Sequence, residues 1–599
     1  MNRHAVVALA LLGCGGARLD EVARPEPLVA EVAAPAPAPR RTPRGTVRSN
    51  ILRADYAGSA ACGDCHAAIH ASWETSPMRR MTRGERAIAA PFDGSELRLG
   101  TDRATMEERD GVRYVHVRSP ADGDRRYRVT KVIGGRSRED YVGVDVAGGG
   151  DEQVLPVSFM LGTRTWRYKG YSLVISEHAR LRPQASWSRT CVACHNTIPQ
   201  VSLLHAAVLG GSPGTYQATY TDNQLPPDRT SRLVAADEAG LAAAISAEVT
   251  RIGGVPAARG SLSGALIHGA RETRRHLGEA DFVELGVGCE SCHNGAAEHA
   301  ADPDVAPAFE LRSPLVRTVP APSRAQAINR ACARCHTLLV SVYPWTWEGG
   351  KRADRVPGGS TVNSSEGRDF LLGGCASQMS CATCHDPHAQ SPRVRYEQLA
   401  DSDGNATCTT CHPALAAPDA LRAHTHHAPG EGSACVGCHM PRKNLGLAYE
   451  LTRYHRIGSP TDDARVLGDR PVECALCHRD RSVADLVGTM ERWWGKRYDR
   501  DRLRAQYGDL AANALAATLA RGKPHEQAVA IGVLGDRGTR ADVPALAPHL
   551  AHPYPQVRYF AKRAIEKLTG APLPIDVGLP AAEVAAQVRR WLATTPSPS

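Results

Sequence analysis

Large aromatic side chains are scarce in this chain. Phenylalanine occurs 6 times among 599 residues, and aromatic residues make up 5% of the total. A chain of this length can form several domains and would normally fill their interiors with large apolar side chains. We therefore expect part of the interior to be filled by something else, and a large apolar cofactor would explain the shortage.

Long apolar runs are also missing. No segment reaches the roughly 18 apolar residues that a membrane-spanning helix requires, and the N-terminal run from Ala5 to Leu12 is too short as well. Because this run follows a short basic start, it predicts an export signal. Any membrane attachment would then be made by an anchor and not by a spanning helix.

The residues around Cys14 resemble a known processing site. The stretch Leu11-Leu12-Gly13-Cys14 is similar to the lipobox of bacterial lipoproteins. That resemblance implies cleavage before Cys14 and lipidation of its thiol, and Gly15 at the next position implies the outer membrane. An ordinary export signal with an incidental cysteine is the alternative.

Cysteine, in contrast, is plentiful and regularly placed. Sixteen of the 18 cysteines lie in eight copies of the pattern C-x-x-C-H, and the two exceptions are Cys14 and Cys375. Numbered as sites 1 to 8 in chain order, the copies are Cys62/Cys65/His66, Cys191/Cys194/His195, Cys289/Cys292/His293, Cys332/Cys335/His336, Cys381/Cys384/His385, Cys408/Cys411/His412, Cys435/Cys438/His439 and Cys474/Cys477/His478. A zinc ribbon would not need the trailing histidine, and a thioredoxin motif would occur once.

The spacing of this pattern suits covalent attachment of haem. Two thiols separated by two residues can add to the two vinyl groups of one porphyrin, and the following histidine is then held beneath the iron as the proximal ligand. The sequence therefore predicts eight covalently bound haem c groups, each attached to the two cysteines and the histidine of one site. Cys375 has no predicted role.

The net charge fits this prediction better than it fits nucleic-acid binding. The chain carries a formal net charge of +9. A ferric haem with two histidine ligands and two ionised propionates carries roughly one negative charge, so that eight of them nearly cancel the excess. We interpret the arginine excess as partners for the propionates, to which the guanidinium fork is suited, and we expect no nucleic-acid partner.

The texture of the sequence divides the chain. Residues 15–54 are rich in proline and alanine and predict a disordered tether after the signal of residues 1–14. Residues 55–480 hold all eight sites. Within them, stretches such as VRYVHV and YRVTKVI alternate with period two and predict a β-rich insertion over about 92–176, between sites 1 and 2. We expect a mainly α-helical and irregular multihaem cytochrome c fold around this insertion.

Residues 481–599 contain no cysteine and predict a C-terminal α-helical domain. Apolar residues in 525–570 recur at spacings of three and four, which is typical of amphipathic helices. The stretches LGDRG, VPAL and PQVRYFAKRAIEKL resemble a HEAT repeat, a helical pair that stacks on its neighbours and can dock partner proteins. An ordinary helical cap on the haem domain is the alternative.

The sixth iron position decides what each site can do. A second histidine saturates the iron and leaves electron transfer, whereas an open position permits substrate chemistry. Subtracting eight proximal histidines from the 24 in the chain leaves 16, of which five lie in the signal, a predicted strand or the helical tail. The other eleven are His70, His178, His205, His268, His276, His299, His388, His424, His426, His427 and His455.

From Tyr56 to about Trp494 the chain resembles the multihaem c-type cytochromes related to the tetrahaem cytochrome of nitrifying bacteria, which carry doubled C-x-x-C-H motifs. The matching stretches are YAGSAACGDCHAAIHASWETSPM, EQVLPVSFM, FVELGVGCESCHNGAAEH, CATCHDPH, HTHHAPGEGSACVGCHMP and RPVECALCHRDRS. The resemblance implies distal ligands at His299, His388, His455 and one histidine of 424–427, with His427 preferred and His424 second. Solvated loop histidines are the alternative.

Met78 departs from that family. Relatives often have histidine after the W-x-x-S motif, where this chain has SWETSPM. A methionine ligand would raise the potential of its iron, so Met78 is a further candidate distal ligand. Packing of this side chain on a porphyrin is the alternative.

Together these features predict an octahaem cytochrome that carries electrons between redox partner proteins, in the periplasm and anchored to the outer membrane. We identify no catalytic residue, because every site ends in histidine and no C-x-x-C-K variant occurs. Octahaem relatives also include oxidoreductases of nitrogen and sulfur compounds, so the alternative is an enzyme acting on hydroxylamine, nitrite or tetrathionate.

Overall fold

The structure is a computed structural model of the 599-residue chain. It describes residues 43–169, 180–204 except 184, 218–219, 233–336 except 259, 340–341, 366–389 and 402–594 except 447. Arg44–Ser599 belong to one compact unit. The predicted signal, Cys14 and most of the tether lie outside the described residues, and none of the helices in the described ranges is long and apolar enough to cross a membrane.

The folded chain begins before residue 55, where the sequence predicts the end of the tether. Gly45–Thr46 pairs in parallel with Val305–Ala306, and Ile51 is completely buried. The Asn50 side-chain amide donates a hydrogen bond to the carbonyl of Glu310 at 2.8 Å. Composition alone missed this segment because its partners lie far away along the chain.

One antiparallel sheet of nine strands follows site 1. Its strands are β1 (Thr82–Gly84), β2 (Asp93–Leu99), β3 (Asp102–Arg109), β4 (Val112–Ser119), β5 (Gly123–Gly134), β6 (Arg138–Asp145), β7 (Gly149–Met160), β8 (Thr165–Tyr168) and β9 (Ala185–Ser186). The order is β9-β7-β6-β5-β4-β3-β2, with β1 paired to β5 and β8 paired to β7. The sheet starts before the predicted residue 92, because β1 pairs without showing any alternation in its sequence.

The two faces of this sheet serve different neighbours. Tyr141 and Phe159 point into a core built mainly from the sheet itself. Val142, the next residue of β6, packs instead in a cluster with Cys191 and Val192 of site 2. Since side chains alternate between faces along a strand, the sheet covers site 2 with one face.

The rest of the described chain is helical or irregular, with short strand pairs. The longer helices are α1 (Ala67–Glu74), α2 (Glu238–Arg251), α3 (Leu262–His276), α4 (Arg324–Ala333), α5 (Glu366–Leu372), α6 (Pro418–Thr425), α7 (Val483–Trp494), α8 (Arg500–Tyr507), α9 (Ala514–Arg521), α10 (Pro524–Arg537), α11 (Pro555–Thr569) and α12 (Ala581–Thr594). The remaining two-strand pairs are Asn196–Thr197 with Glu284–Leu285, Ala218–Thr219 with Val340–Ser341, Leu233–Ala235 with Val316–Thr318, and Arg442–Leu445 with Leu451–Arg453.

The C-terminal helices share a core with the haem-site region. One cluster of buried apolar residues runs from Leu445 to Val588 and includes Leu476 of site 8. Tyr449 stacks on Tyr559 of α11, with ring centroids 4.9 Å apart. The structure therefore shows continuous packing across residue 480, where the sequence predicts a domain boundary.

Candidate functional site

Each C-x-x-C-H motif forms one helical turn. Two of them lie in the short helices Cys289–His293 and Cys435–His439. In the other six, the histidine amide donates a hydrogen bond to the carbonyl of the first cysteine, at 2.9 to 3.2 Å. Residues three and four apart share one face of a helical turn, so both thiols and the imidazole project from the same side. This is the arrangement that covalent attachment and iron ligation require.

The side chains of the motifs differ in exposure. Cys65 of site 1, Cys411 and His412 of site 6, and Cys477 and His478 of site 8 are exposed, whereas Cys191 of site 2 is buried. Helix α1, which follows site 1, buries only Trp73, and α6, which follows site 6, buries no residue. Attachment of haem at these residues stays a prediction.

Four of the proximal histidines have a second imidazole beside them. The distances between ring centroids are 6.2 Å for His66 and His299, 6.2 Å for His385 and His455, 6.1 Å for His439 and His424, and 5.9 Å for His478 and His427. The angles between the ring planes range from 8° to 31°.

These separations match the space that one iron atom needs. A metal–imidazole bond of about 2 Å, added on each side to a ring radius of about 1.2 Å, would place the centroids of two imidazoles on one metal ion about 6.4 Å apart. The observed 5.9 to 6.2 Å agrees with this value. The residues therefore fit a haem with two histidine ligands at sites 1, 5, 7 and 8.

The proximal His412 of site 6 differs from these four. Within the described ranges of the chain, no second imidazole ring contacts it. Burial lowers the pKa of His439, and the positive charges of His424 and His412 act in the same direction. His412 therefore lies close enough to site 7 to influence the pKa of His439, as expected for neighbouring sites.

Hydrogen bonds set the tautomer of the paired rings. The Nδ1 atoms of His299, His455 and His427 lie 2.8, 3.0 and 2.6 Å from backbone carbonyl oxygens. Nδ1 of the proximal His439 lies 2.9 Å from the Gly458 carbonyl. A carbonyl only accepts, so Nδ1 carries the proton and the Nε2 lone pair is available to a metal. Such partners also hold a ligating ring in its orientation.

The imidazole rings of His424, His426 and His427 lie in three different surroundings. His424 lies in the last turn of α6 and faces site 7, while His427 faces site 8. His426 lies between them with φ of 57°, in the left-handed region, and its ring stacks on Trp493 at 4.6 Å. The reversal of the backbone at His426 allows the flanking histidines to reach different sites.

The other candidate ligands have weaker or different placements. His388 lies near site 3: burial, followed by the positive charge of His388, lowers the pKa of His293 to about 4. Met78 lies in the turn after α1, where its carbonyl accepts hydrogen bonds from the amides of Met81 and Val287.

Four further histidines of the candidate set have protein contacts or cannot be placed. His268 lies 2.6 Å from the Val255 carbonyl and His276 lies 3.5 Å from Glu272. His178 and His205 lie outside the described residues.

Three pairs of sites are joined in the same way. The first cysteine of one site lies within hydrogen-bonding reach of the first cysteine of another, although the two are separated in sequence. These pairs are Cys62 with Cys289 (sites 1 and 3), Cys332 with Cys381 (sites 4 and 5), and Cys408 with Cys435 (sites 6 and 7). Haems attached to thiols this close would lie near each other within each pair.

A side chain three residues before the first cysteine fixes each pair. Ser59 Oγ accepts a hydrogen bond from the Cys289 amide at 2.9 Å. Asn329 Oδ1 accepts one from the Cys381 amide at 2.9 Å, and Asn405 Oδ1 accepts one from the Cys435 amide at 2.8 Å. We call Ser59, Asn329 and Asn405 the pair caps. The sequence analysis missed them, although both asparagines belong to the recognisable string N-x-x-C-x-x-C-H.

Further contacts connect the pairs to one another. The Cys194 and Cys335 thiols are within hydrogen-bonding reach, which joins site 2 to site 4. Arg334 of site 4 donates to Asn294 and to the Ser291 carbonyl beside site 3, at 2.6 and 3.0 Å.

Electrostatic interaction between cysteines extends the series further. It joins Cys384 of site 5 to Cys408 of site 6, and Cys438 of site 7 to Cys477 of site 8. The resulting order is 1-3-4-5-6-7-8, with site 2 as a branch at site 4.

Comparison with known proteins supports this interpretation of the motif. A family model described as the doubled CXXCH motif matches residues 374–417, which hold sites 5 and 6. No curated protein matches the chain. One similar solved structure is the outer cell wall cytochrome OcwA, which aligns with 86% of this chain and 100% of its own at 15% identity, with a TM-score of 0.37. The doubled motif indicates covalently bound haem c.

Proposed function

We propose that this multihaem c-type cytochrome binds eight haems and passes single electrons between redox partner proteins. The observation that carries the proposal is the series of neighbouring sites 1-3-4-5-6-7-8, in which the pair caps hold three pairs of sites together and Arg334 joins sites 3 and 4. When bound, each haem supplies a one-electron iron couple. The chain contributes attachment, axial ligands and fixed spacing between neighbours.

We assign the distal ligands from the ring pairs. His299 serves site 1, His455 serves site 5, His424 serves site 7 and His427 serves site 8. His388, which lies close to His293, is assigned to site 3. Sites with two histidines have no open position for a substrate, which favours electron transfer over catalysis at both ends of the series.

The proposed location rests on the N-terminal sequence. The export signal and Cys14 would place the protein in the periplasm, attached to the outer membrane by lipid. Metabolic labelling with radioactive palmitate tests this part by itself. Label should enter the wild-type chain and not Cys14→Ser, and equal labelling of both would contradict the anchor.

Ligand binding by the oxidised protein tests the electron-transfer function. Electron paramagnetic resonance should show low-spin iron at sites 1, 5, 7 and 8, unchanged by nitrite or hydroxylamine. Reductive titration should add eight electrons for each chain. A high-spin signal from these four sites, or failure of the irons to accept electrons from any reductant, would contradict the proposal.

Site 2 supports a second candidate function, the reduction of a nitrogen or sulfur oxyanion. Asp140 in β6 accepts hydrogen bonds from Lys169 and pairs with Arg138 at 3.2 Å. Both β6 residues share the strand face of Val142, which packs against site 2. Burial, followed by the charge of Lys169, lowers the pKa of His195 to about 4. Cationic groups therefore lie beside this site.

Arg167 of β8 pairs with Ser158 of β7, which in turn pairs with Asp140. Arg167 is 2% exposed, and its Nε and Nη2 atoms have no hydrogen-bond partner among the described residues. Within the same part of the chain, no second histidine ring contacts His195. Buried donors of this kind favour an anion, either a substrate oxyanion or a haem propionate.

Turnover measurements separate these two anions. Reduced methyl viologen should be consumed with nitrite or tetrathionate, and Lys169→Met should abolish this if the cluster binds substrate. If the wild-type protein consumes neither compound, the enzyme hypothesis fails and the propionate remains as the partner of Arg167.

A further inference from the structure

Trp493, near the end of α7, is an unusual surface residue. It is 40% exposed, and among the described residues it is the one aromatic side chain in the group of exposed large hydrophobics. One ring face stacks on His426 at 4.6 Å and 20°. Trp494, its neighbour, donates a hydrogen bond from Nε1 to the His424 carbonyl at 3.1 Å. The two tryptophans therefore tie α7 to the segment that holds His424 and His427.

This surface lies directly over one end of the series of sites. The ring centroids of Trp493 and His427 are 6.0 Å apart, with the planes nearly perpendicular at 87°. His427 in turn pairs with the proximal His478. Both Cys477 and His478 are exposed. Site 8 is therefore the place where the series reaches solvent beside an aromatic surface.

The charged residues that flank Trp493 in sequence are mostly basic, and the exposed Asp480 beside His478 pairs with Arg481 at 3.8 Å. Arg492 and Arg497 are exposed and Lys496 is half-buried, and none of the three pairs with a carboxylate in the described part of the chain. The nearest acidic residue in sequence, Glu491, already bonds Arg500 at 2.7 Å. We call Arg492, Trp493, Lys496 and Arg497 the α7 patch. It presents uncompensated positive charge around an apolar centre.

From this geometry we infer that the α7 patch is an electron-exchange port that docks a carrier protein with an acidic surface. An exposed aromatic anchor inside a charged rim is the usual composition of an interface centre. Complementary charge speeds the encounter of such proteins and orients them. This inference rests on the proposed electron-transfer function and adds the place and the partner chemistry.

The reaction at the port is a single-electron exchange. With a haem held by His478 and His427, a reduced carrier would lose one electron and the oxidised haem would gain it, with no transfer of a bond or a proton. The reverse exchange returns the electron. Trp493 contributes contact with the partner above the ligand His427, and the basic residues contribute orientation.

Flavodoxin is a suitable probe, because it is an acidic protein that carries single electrons. Flavodoxin hydroquinone is mixed with the oxidised holoprotein, and haem reduction is followed by stopped flow at low and high salt. The variants are Trp493→Ala and Arg492→Glu/Arg497→Glu. Arg589→Glu/Arg590→Glu is the control, because these exposed arginines of α12 give the same change in charge far along the chain. Calorimetric binding of oxidised flavodoxin gives a readout that is independent of electron transfer.

The α7 charge variant should react about tenfold more slowly at low salt and bind flavodoxin more weakly, with the difference shrinking as salt is added. Trp493→Ala should also react more slowly, with an unchanged haem spectrum, and the α12 control should match the wild type. Wild-type rates in both α7 variants would contradict the proposal that the α7 patch is the port.

A small uncharged hydroquinone separates this failure from failure of the proposed function. If it reduces the wild-type irons while flavodoxin does not, the acidic partner is excluded and electron transfer stands. If neither reductant delivers electrons, both proposals fail.

Discussion

Asn405 Oδ1 accepts a hydrogen bond from the backbone amide of Cys435 at 2.8 Å, and so fixes two haem-attachment motifs to each other through protein atoms alone. The same side chain donates from Nδ2 to the Ser433 carbonyl at 2.9 Å. Asn329 makes the matching pair of contacts, to the Cys381 amide and the Met379 carbonyl. The spacing within a pair of sites is therefore set by the fold.

Removal of a pair cap should destabilise its pair. Asn405 is 6% exposed, so Asn405→Ala leaves the Cys435 amide without its acceptor in a buried place. We expect a loss of about 1–3 kcal/mol, measured as a lower guanidinium midpoint for loss of the low-spin haem spectrum. Asn405→Ser should recover part of it, because Ser59 performs the same task. A midpoint equal to that of the wild type in Asn405→Ala would contradict the role.

The three clustered histidines should respond differently to substitution. His424→Ala and His427→Ala should each convert one low-spin iron to high spin, since each removes one imidazole of a ring pair. His426→Ala should leave all irons low-spin, because its ring contacts Trp493. Electron paramagnetic resonance of the oxidised proteins measures this. A new high-spin signal in His426→Ala would reverse the assignment.

The number of haems can be counted. The mass of the mature protein should exceed that of the processed chain by eight haems, since eight turns present two thiols and a histidine on one side. Replacing Cys435 and Cys438 together by serine should remove one haem and leave seven. Intact mass spectrometry gives both numbers. Fewer than eight haems in the wild type would show that some motifs stay empty.

Stability of the C-terminal helices should fall in mild acid. Burial, followed by the neighbouring charge of His549, lowers the pKa of His552 from 6.5 to about 4. The neutral ring is favoured in the folded state, so its contribution is complete above pH 6.5 and is lost as the pH falls towards 4. We expect a loss of about 2 kcal/mol between about pH 7.5 and pH 5.

Hydrogen exchange of α11 peptides, corrected for the intrinsic rate, measures that loss. His552→Asn provides the control: asparagine can still accept the hydrogen bond that the Tyr554 amide gives to His552 Nδ1, but it does not titrate in this range. The variant should show a flatter dependence on pH. Equal acid sensitivity in both proteins would show that a group other than His552 causes the loss of stability.

Haem attachment was the part of the site most accessible from sequence, for a physical reason. The thiols and the proximal histidine lie within five residues of one helical turn, so their chemistry is local. The second ligand is not local. His299 comes 233 residues after its ring partner His66, whereas His427 comes before its partner His478, and no spacing rule links them. Family resemblance pointed to His299, and geometry supplied its ring partner.

The sequence also did not predict which motifs are buried. The eight copies of C-x-x-C-H look alike as strings, yet Cys191 of site 2 is buried under the sheet while Cys65 and Cys411 are exposed. The difference comes from what packs over each turn, and that covering is supplied by residues distant in sequence or by none of the described chain.

The segment at 424–427 shows the same limit at short range. The sequence favours His427 and places His424 second, whereas the structure sets both beside proximal histidines of different sites. Which histidine faces which site depends on the left-handed backbone at His426, directly after the end of α6. The residue types alone do not predict this conformation. The sequence also did not predict that the fold starts as early as Gly45, because its pairing with Val305 does not depend on local composition.

The pair caps span very different lengths of chain. Asn405 reaches Cys435 across 30 residues and Asn329 reaches Cys381 across 52, whereas Ser59 reaches Cys289 across 230. Closing the longest of these loops costs about 2 kcal/mol more entropy than closing the shortest. It also requires that the chain up to residue 289 has already been synthesised. Sites 6 and 7 can therefore assemble as a local unit, whereas site 1 must wait for the longest stretch of chain before its partner, site 3, is present.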